Sequence, residues 1–309
     1  MEELIVVALG GNAILRKGER GDPREAWRNV SRAAEAIVEA YLRGYRIVVT
    51  HGNGPQAGYL LEAMESLPPE RPRQTLDIVD AMTQGWLGYL IQHSITIAAR
   101  RRGVEVPAAT IVTRVVVSRS DPAFSNPSKP IGFYYTEEEA KRLARERGWV
   151  MRRDARGGYR RVVPSPRPLD VLEAPIIKAL ASGGVVTIAV GGGGIPVTED
   201  LEPVEAVVDK DLASSVLARL IEAERFIILT DVPGVALDFG KPTQRWLARL
   251  SARDARRLLE RGYFPPGSMG PKVEAAVEFV EETGRRAVIG HLDEAIDVIN
   301  LESGTIIEP

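Results

Sequence analysis

"VVTHGNGPQAGYLL", residues 48–61, opens as an apolar, β-branched run and closes with helical spacing. Between the two lies His51-Gly52-Asn53-Gly54-Pro55-Gln56. The run reads as the end of a buried strand, Tyr45–Thr50, and Gly54–Met64 as the helix after it. Strand, glycine loop, helix is the repeating unit of an open α/β sheet, where ligands bind beyond the carboxyl ends of the strands. Small residues there let a ligand reach backbone N–H groups, and the next helix offers its positive end to an anion. A β-carbon on Gly52 is expected to fill ligand space or strain a positive φ.

The same order recurs along the chain. Leu4–Leu9 is an apolar run ending at Gly10-Gly11-Asn12. Pro23–Arg43 carries Ala26, Val30, Ala33, Ile37 and Tyr41 on one helical side and stops at Gly44. Leu76–Arg102 reads as a long helix, bent near Gly85 or Gly88, and Val106–Val117 as a strand. Later come a helix at Asp170–Ser182, a strand at Val185–Val190 leading to Gly191–Gly194, and a strand at Val204–Val208. A helix follows from Asp211, then a strand at Arg225–Thr230 leading to Asp231-Val232-Pro233-Gly234. Helices after Ser251 and Gly270 and a strand at Arg286–Gly290 complete the order. It predicts a mostly parallel sheet with helices on both faces. In a parallel sheet the four glycine loops share one edge, and their N–H donors suit a polyphosphate.

Residues 118–166 break the pattern. They are polar, Arg-rich and turn-rich, with one helix at Thr136–Arg147 and a hairpin around Gly157-Gly158. They read as a small inserted subdomain. It carries Lys129, and a lysine on a weakly packed insertion suits a lid that closes over a site.

Composition narrows the class. The chain has 309 residues, 44% hydrophobic and 27% charged, with a net charge of −2. That balance argues against a nucleic-acid partner, and no apolar run is long enough to span a membrane. The start, "MEELIVVALGG", does not read as a signal peptide. With no Cys, disulfides and thiolate metal sites are excluded. A cytoplasmic protein is expected, and the wealth of Arg and Glu with few Asn and Gln leans towards a thermophile.

No Walker P-loop occurs, and no Gly-x-Gly-x-x-Gly follows the first strand. There is no nucleophile elbow and no metal-ligand spacing among His51, His93 and His291. Cations for a phosphate must come from elsewhere. Lys is rare beside Arg, and Lys210 in "VVDKDLASS" and Lys272 in "GSMGPKVEAA" stand at helix starts, which favour anions. Asp209 and Asp211 flank Lys210 and could cap the helix, orient the lysine or hold Mg²⁺. Asp231 could be a site residue or a plain turn residue. His51 reads as a hydrogen-bonding loop residue before a general base, and His291 as a cap. "DAMTQGWLGYLIQ" (80–92) reads as helix packing or a subunit interface.

Together the segments resemble the carbamate kinases, a branch of the amino acid kinase superfamily. The resemblance rests on "VVALGGNA" (6–13), "VVTHGNGPQ" (48–56), "DAMTQGWLGYLIQ" (80–92), "DPAFSNPSKPIG" (121–132), "RRVVPSP" (160–166), "GGGGIPV" (191–197), "AVVDKDLAS" (206–214), "LTDVPGV" (229–235) and "GSMGPKVEAA" (267–276). One departure is Gly132-Phe133-Tyr134-Tyr135, where many members have Gly-Pro-Phe-Tyr.

The resemblance implies a three-layer αβα sandwich around a mainly parallel sheet of about eight strands, formed by residues 1–309 as one domain with 118–166 protruding. It implies a homodimer, ATP or ADP as substrate, Mg²⁺, and reversible phosphoryl transfer between ATP and carbamate. Carbamoyl phosphate could then serve ATP synthesis or arginine and pyrimidine synthesis. Gly10, Gly11, Asn12, Gly52, Asn53 and Gly54 would surround carbamate and the phosphoryl group. Lys129, Lys210 and Lys272 would stabilise that group, with Asp209 orienting the lysines. Gly192, Gly193, Asp231, Gly234 and Met269, with Lys272, would lie along the nucleotide. The chemistry agrees: phosphoryl transfer needs positioning and charge neutralisation, and carbamate is already a nucleophile. Rival readings are a sister kinase acting on another carboxylate or a phosphate acceptor, which the lysine-bearing insertion disfavours, and a non-catalytic nucleotide- or oxyanion-binding protein, which the three lysines disfavour. Turnover with carbamoyl phosphate and ADP separates them.

Overall fold

Alternation along the first strand sets the layers. In Leu4–Leu9, Leu4, Val6 and Ala8 enter one core and Ile5, Val7 and Leu9 the other, so both faces of the strand are buried. The computed structural model describes residues 3–309 apart from 16–18, 20, 21, 69, 155, 156 and 266, and for Asn12 and Pro23 it describes the backbone only. Helices α1 (Pro23–Leu42), α2 (Gly54–Glu65), α3 (Leu76–Arg101), α4 (Glu137–Arg147), α5 (Ala174–Ser182), α6 (Lys210–Leu220), α7 (Ala252–Glu260), α8 (Met269–Thr283) and α9 (Ala295–Ile299) follow in order. One core joins the sheet to α5, α6, α7 and α8, and the other joins it to α1, α3 and α9. This is the expected sandwich.

The main sheet has eight strands in the order Arg249–Ser251, Thr305–Glu308, Arg286–His291, Arg225–Thr230, Leu4–Leu9, Arg46–His51, Val186–Ile188, Ala108–Thr110. All neighbours are parallel except Arg286–His291 with Thr305–Glu308. The four strands that carry the glycine loops are consecutive and parallel, so all four loops emerge at one edge.

Three expected elements differ. The strand expected at Val106–Val117 is two: Ala108–Thr110 in the main sheet and Arg114–Val117 in a second sheet between Pro168–Val171 and Ile195–Val197. The chain leaves the main sheet where the Gln84 amide takes over, accepting the Thr113 N–H at 2.7 Å. The helix expected from Asp170 starts at Ala174, because Pro168–Val171 pairs antiparallel with Arg114–Val117. The strand expected at Val204–Val208 is not one. Ala206 and Val208 are buried, but the run has no ladder partner: the Val207 N–H goes to Pro164 O at 3.0 Å. Burial alone made it look like a strand.

Residues 118–166 carry α4 and a separate antiparallel sheet of Lys129–Tyr135, Tyr159–Val163 and Met151–Arg153. Thr136 caps α4 through a capping box, and Gly148 ends it in the left-handed region. The strands flanking the insertion, Arg114–Val117 and Pro168–Val171, pair with each other, so it leaves and rejoins the body at one place. Inside α3, Gly88 meets the edge strand closely. A β-carbon there would lie 2.2 Å from Thr110 Cγ2 and 3.0 Å from Thr110 Cβ. Rotating Thr110 would not move Cβ and would break its 3.1 Å hydrogen bond to Gln92. Gly88→Ala should therefore destabilise by about 1–3 kcal/mol, overpacking outweighing the roughly 1 kcal/mol gain in helix propensity. Thermal unfolding checks this, and a raised Tm would show the contact to be soft.

Candidate active site

The edge where the four loops emerge also receives the starts of α6 and α8. Asp209 caps α6, its Oδ1 accepting the Asp211 N–H at 2.9 Å, and its Oδ2 accepts from Lys129 Nζ at 3.2 Å. Asp211, one turn position further on, is 5% exposed and takes both remaining lysines: Lys210 Nζ at 2.6 Å on Oδ1 and Lys272 Nζ at 2.8 Å on Oδ2. Three lysines from three separate segments thus meet two carboxylates of one helix turn. Asp231 adds a third carboxylate near Lys272. Of the lysines expected together, Asp209 contacts Lys129 alone; Asp211 holds the other two.

Electrostatics follow from enclosure. Burial lowers Lys210 below the ordinary lysine value, and the attraction of Asp211 only partly offsets it. Burial acts in the same direction on Lys272, but Asp211, Asp209 and Asp231 together outweigh it and raise that ammonium. The two share a carboxylate and shift in opposite senses: at Lys210 burial is joined by the Lys272 charge, while at Lys272 Asp231 adds to the other carboxylates. On Asp211 burial pushes upward, and the two lysines overcome it, so the carboxyl stays ionised well below its usual range.

The acceptor-side loops lie against each other. Gly10 N donates to Leu229 O at 2.9 Å, and a β-carbon on Gly10 would sit 3.0 Å from that oxygen. Gly11 begins a short 3-10 turn to Ala13, and the Asn12 side chain lies outside the described residues. A β-carbon on Gly52 would face the Gly11 backbone at 3.7 Å; one on Gly54 would meet no protein atom within 4 Å. Neither has positive φ, so the strain expected at Gly52 does not arise. Asn53 precedes α2 without capping it by its side chain, which leaves the first N–H groups of α2 for another partner. Thr50 and Ser214 hydroxyls meet at 2.6 Å and tie this strand to α6.

His51 is fully enclosed and its Nδ1 lies 3.0 Å from Gly52 O. A carbonyl only accepts, so Nδ1 carries the proton. Burial drives the imidazole down to about 4, with the Lys210 charge adding to that. A neutral ring fixed by its neighbour fits the loop residue expected and is a poor base at neutral pH. His291 caps the turn Leu292–Glu294, accepting from Asp293 N at 3.1 Å.

Gly192 and Gly193, expected along the nucleotide, are buried and wedged between protein groups. A β-carbon on Gly192 would lie 2.2 Å from Asn53 Nδ2, and one on Gly193 2.3 Å from Val208 O. Both have positive φ, and Val190 before them is also left-handed, a conformation that β-branched residues avoid. Gly234 is likewise required by packing, since a β-carbon would meet Thr305 Oγ1 at 2.5 Å. Met269 opens α8 and packs on the core, and Asp231 is close enough to Lys272 to raise it.

Residues 80–92 have a function that packing alone did not suggest. Asp80, Thr83 and Gln84 are buried on the inner side of α3. Gln84 Nε2 donates to Thr113 O and Gly191 O, both at 3.1 Å, so α3 fixes the Gly191–Gly194 loop from behind. Buried polar residues in an otherwise apolar helical face were the available signal. Among the described residues, no three His, Cys, Asp or Glu side chains could together hold a metal. Asp209 and Asp211 are engaged by lysines, so the donor set does not suit a metal caged by protein.

Comparison with known proteins identifies the family and the fold. The model of the amino acid kinase family matches residues 3–291. The carbamate kinase of Thermococcus kodakarensis is 50% identical over 97% of this chain and 98% of its own. That of Pyrococcus furiosus is 47% identical over 100% of both. The solved structure of carbamate kinase from Giardia lamblia bound to AMP-PNP superposes with a TM-score of 0.91 at 40% identity, covering 99% of this chain and 98% of that one.

Proposed function

The chain belongs to the carbamate kinases of the amino acid kinase family, and on that premise we propose how its residues move a phosphoryl group between ATP and carbamate. A carbamate oxygen attacks the γ-phosphorus, the bond to the β,γ-bridging oxygen breaks, and carbamoyl phosphate and ADP result. The observation that carries this reading is the pair Lys210 and Lys272 held on Asp211 where four parallel strands end. Phosphoryl transfer asks for in-line placement and neutralisation of charge on the equatorial oxygens. Buried ammonium groups act there more strongly than in water. Gly10, Gly11, Asn12, Gly52, Asn53 and Gly54 form the acceptor side. Asp231, Gly234, Met269 and Lys272 line the nucleotide side, backed by Gly192 and Gly193. Mg²⁺ comes as the partner of ATP. Such substrates suit a cytoplasmic enzyme.

An assay coupling ATP formation from ADP and carbamoyl phosphate tests the reading. Lys272→Ala should lower kcat about 100-fold or more, the scale of losing one charge-stabilising donor. Near-parent turnover in a folded Lys272→Ala protein would overturn the assignment.

Residues 118–166 act in this reading as a lid. Lys129 is 35% exposed at its side chain and has one 3.2 Å contact, whereas Lys210 is 12% exposed. The insertion rests on α2, where a β-carbon on Gly58 would lie 3.9 Å from Gly132 Cα, and it crosses to the body through Arg161–Glu205. Closure would exclude water from a labile acceptor. Backbone amides of 118–166 should exchange hydrogen faster than those of the main sheet and slow when ADP and carbamoyl phosphate are bound. Exchange as slow as the sheet's and indifferent to ligands would sink the lid.

A homodimer is the third part. Ile78, Met82, Trp86, Tyr89 and Ile97 stand exposed along one side of α3, with Tyr59 of α2 edge-on to Trp86. Tyr89 is 57% exposed, and a stripe of this length on an otherwise well-buried helix is a surface for a second copy. Light scattering should give twice the chain mass for the parent and the chain mass for Tyr89→Asp. A monomeric parent refutes it.

A further inference from the structure

Asn53 is only 5% exposed, and its amide is held from three directions. Nδ2 donates to Asp80 Oδ1 at 3.0 Å and to Thr83 Oγ1 at 2.9 Å. The Thr83 hydroxyl spends its single proton on Asp80 O at 2.8 Å, so towards Asn53 it can only accept. That contact identifies the facing end of the amide as nitrogen, whatever the state of Asp80. Both N–H groups are then used. Gly192 closes the remaining side, where a β-carbon would fall 2.2 Å from Nδ2 and 2.8 Å from Oδ1. No donor among the described residues meets Oδ1, and it is not among the buried oxygens without a partner, so it keeps access to solvent.

Asp80 itself pairs with no cation among the described residues. Burial raises its carboxyl to about 8, against the Asn53 hydrogen bond, and Asp77 adds to the rise. On the facing loop His51 is neutral. A neutral carboxyl and a hydroxyl already committed as an acceptor form a rigid receiver for one amide.

We propose that Asp80 and Thr83 are positioning residues that lock Asn53 with its carbonyl oxygen presented to the acceptor, so that the site selects a carboxylate whose carbon also bears a hydrogen-bond donor. Carbamate has such an N–H group; acetate has a methyl group. This rests on reading the His51–Gln56 loop as the acceptor side. A site built around a substrate N–H rejects an analogue without it far more strongly than an apolar pocket rejects a change of size.

The test compares carbamoyl phosphate with acetyl phosphate as phosphoryl donors to ADP, as a ratio of kcat/KM. In the parent the ratio should strongly favour carbamoyl phosphate. Thr83→Val and Asp80→Ala should each lower it about 10-fold or more, the order expected for one mispaired buried polar group, with KM for ADP unchanged. Thr83→Ser and Asp80→Asn, which keep the accepting oxygens, should retain the parent ratio, and they decide the matter if the first two do not fold. An unchanged ratio in folded Thr83→Val or Asp80→Ala overturns the lock, as does an equal loss towards both donors with raised KM for ADP. The lock also fails if Thr83→Ser and Asp80→Asn lose the ratio. A parent that makes no ATP from carbamoyl phosphate fails the kinase reading instead, so the two failures are distinguishable.

Discussion

Two ammonium groups held within a few ångströms in a nearly dry pocket repel each other, and the site depends on what offsets that repulsion. Asp211 does so with one oxygen for each lysine, 2.6 Å to Lys210 and 2.8 Å to Lys272. Removing one member of a buried ionic set leaves charge uncompensated, at a cost of about 3–5 kcal/mol. The same contact docks α8 against α6, a junction that also has the Ser215 hydroxyl donating to Ala275 O at 2.8 Å. Helix placement and charge placement are therefore one event. The helix starts add their own partial positive charge beside the lysines, so under the proposed function an incoming phosphoryl group would meet a field already built and oriented.

The parallel sheet was legible because fully buried strands leave a strong mark. Leu4–Leu9 and Arg225–Thr230 are short, largely apolar runs ended by Gly10 and Asp231, the run Tyr45–Thr50 leads through His51 to Gly52, and each is a central strand. Caps were legible too: Asp209, a candidate cap, accepts the Asp211 N–H at the start of α6, and His291 accepts from Asp293 N. What misled was burial without a ladder. Ala206 and Val208 are buried, and the N–H groups of Val204, Ala206 and Val207 go to the Pro196, Val204 and Pro164 oxygens instead of to a ladder. The edge strand Arg249–Ser251 and its neighbour Thr305–Glu308 are three and four residues long, too brief for periodicity to declare.

Within the site, residue type was more legible than partnership. Lys129, Lys210 and Lys272 stood out by rarity, and the sequence "DKD" offered two carboxylates. Which carboxylate serves which lysine depends on where α8 and the inserted sheet come to rest, a tertiary fact with no local trace. The glycines show the same limit. Gly192, Gly193 and Gly234 look alike in sequence to Gly11 and Gly54, yet the first three are required by neighbouring protein atoms and the last two face none within 4 Å. A glycine loop in sequence thus records close approach without saying whether the approaching group is ligand or protein.

The lysines also differ in how they are held, and that difference suits the phosphoryl path of the proposed function. Lys210 and Lys272 start from helices locked to the sheet and share a carboxylate with little exposure. Lys129 starts from a strand of the insertion and touches Asp209, which is already occupied in capping α6. Two charges are thus fixed before substrate arrives and one is joined by a single contact to a separate sheet. A group that moves between two oxygens needs charge that is rigid enough to lower the barrier and some that can travel with it, for which a compact ammonium on a flexible stem is suited. With the acceptor already anionic, nothing in this arrangement calls for a strong base. His51, neutral and enclosed, is then understood as part of the wall against which the Gly191 turn packs: a β-carbon on Gly191 would come within 2.7 Å of its ring.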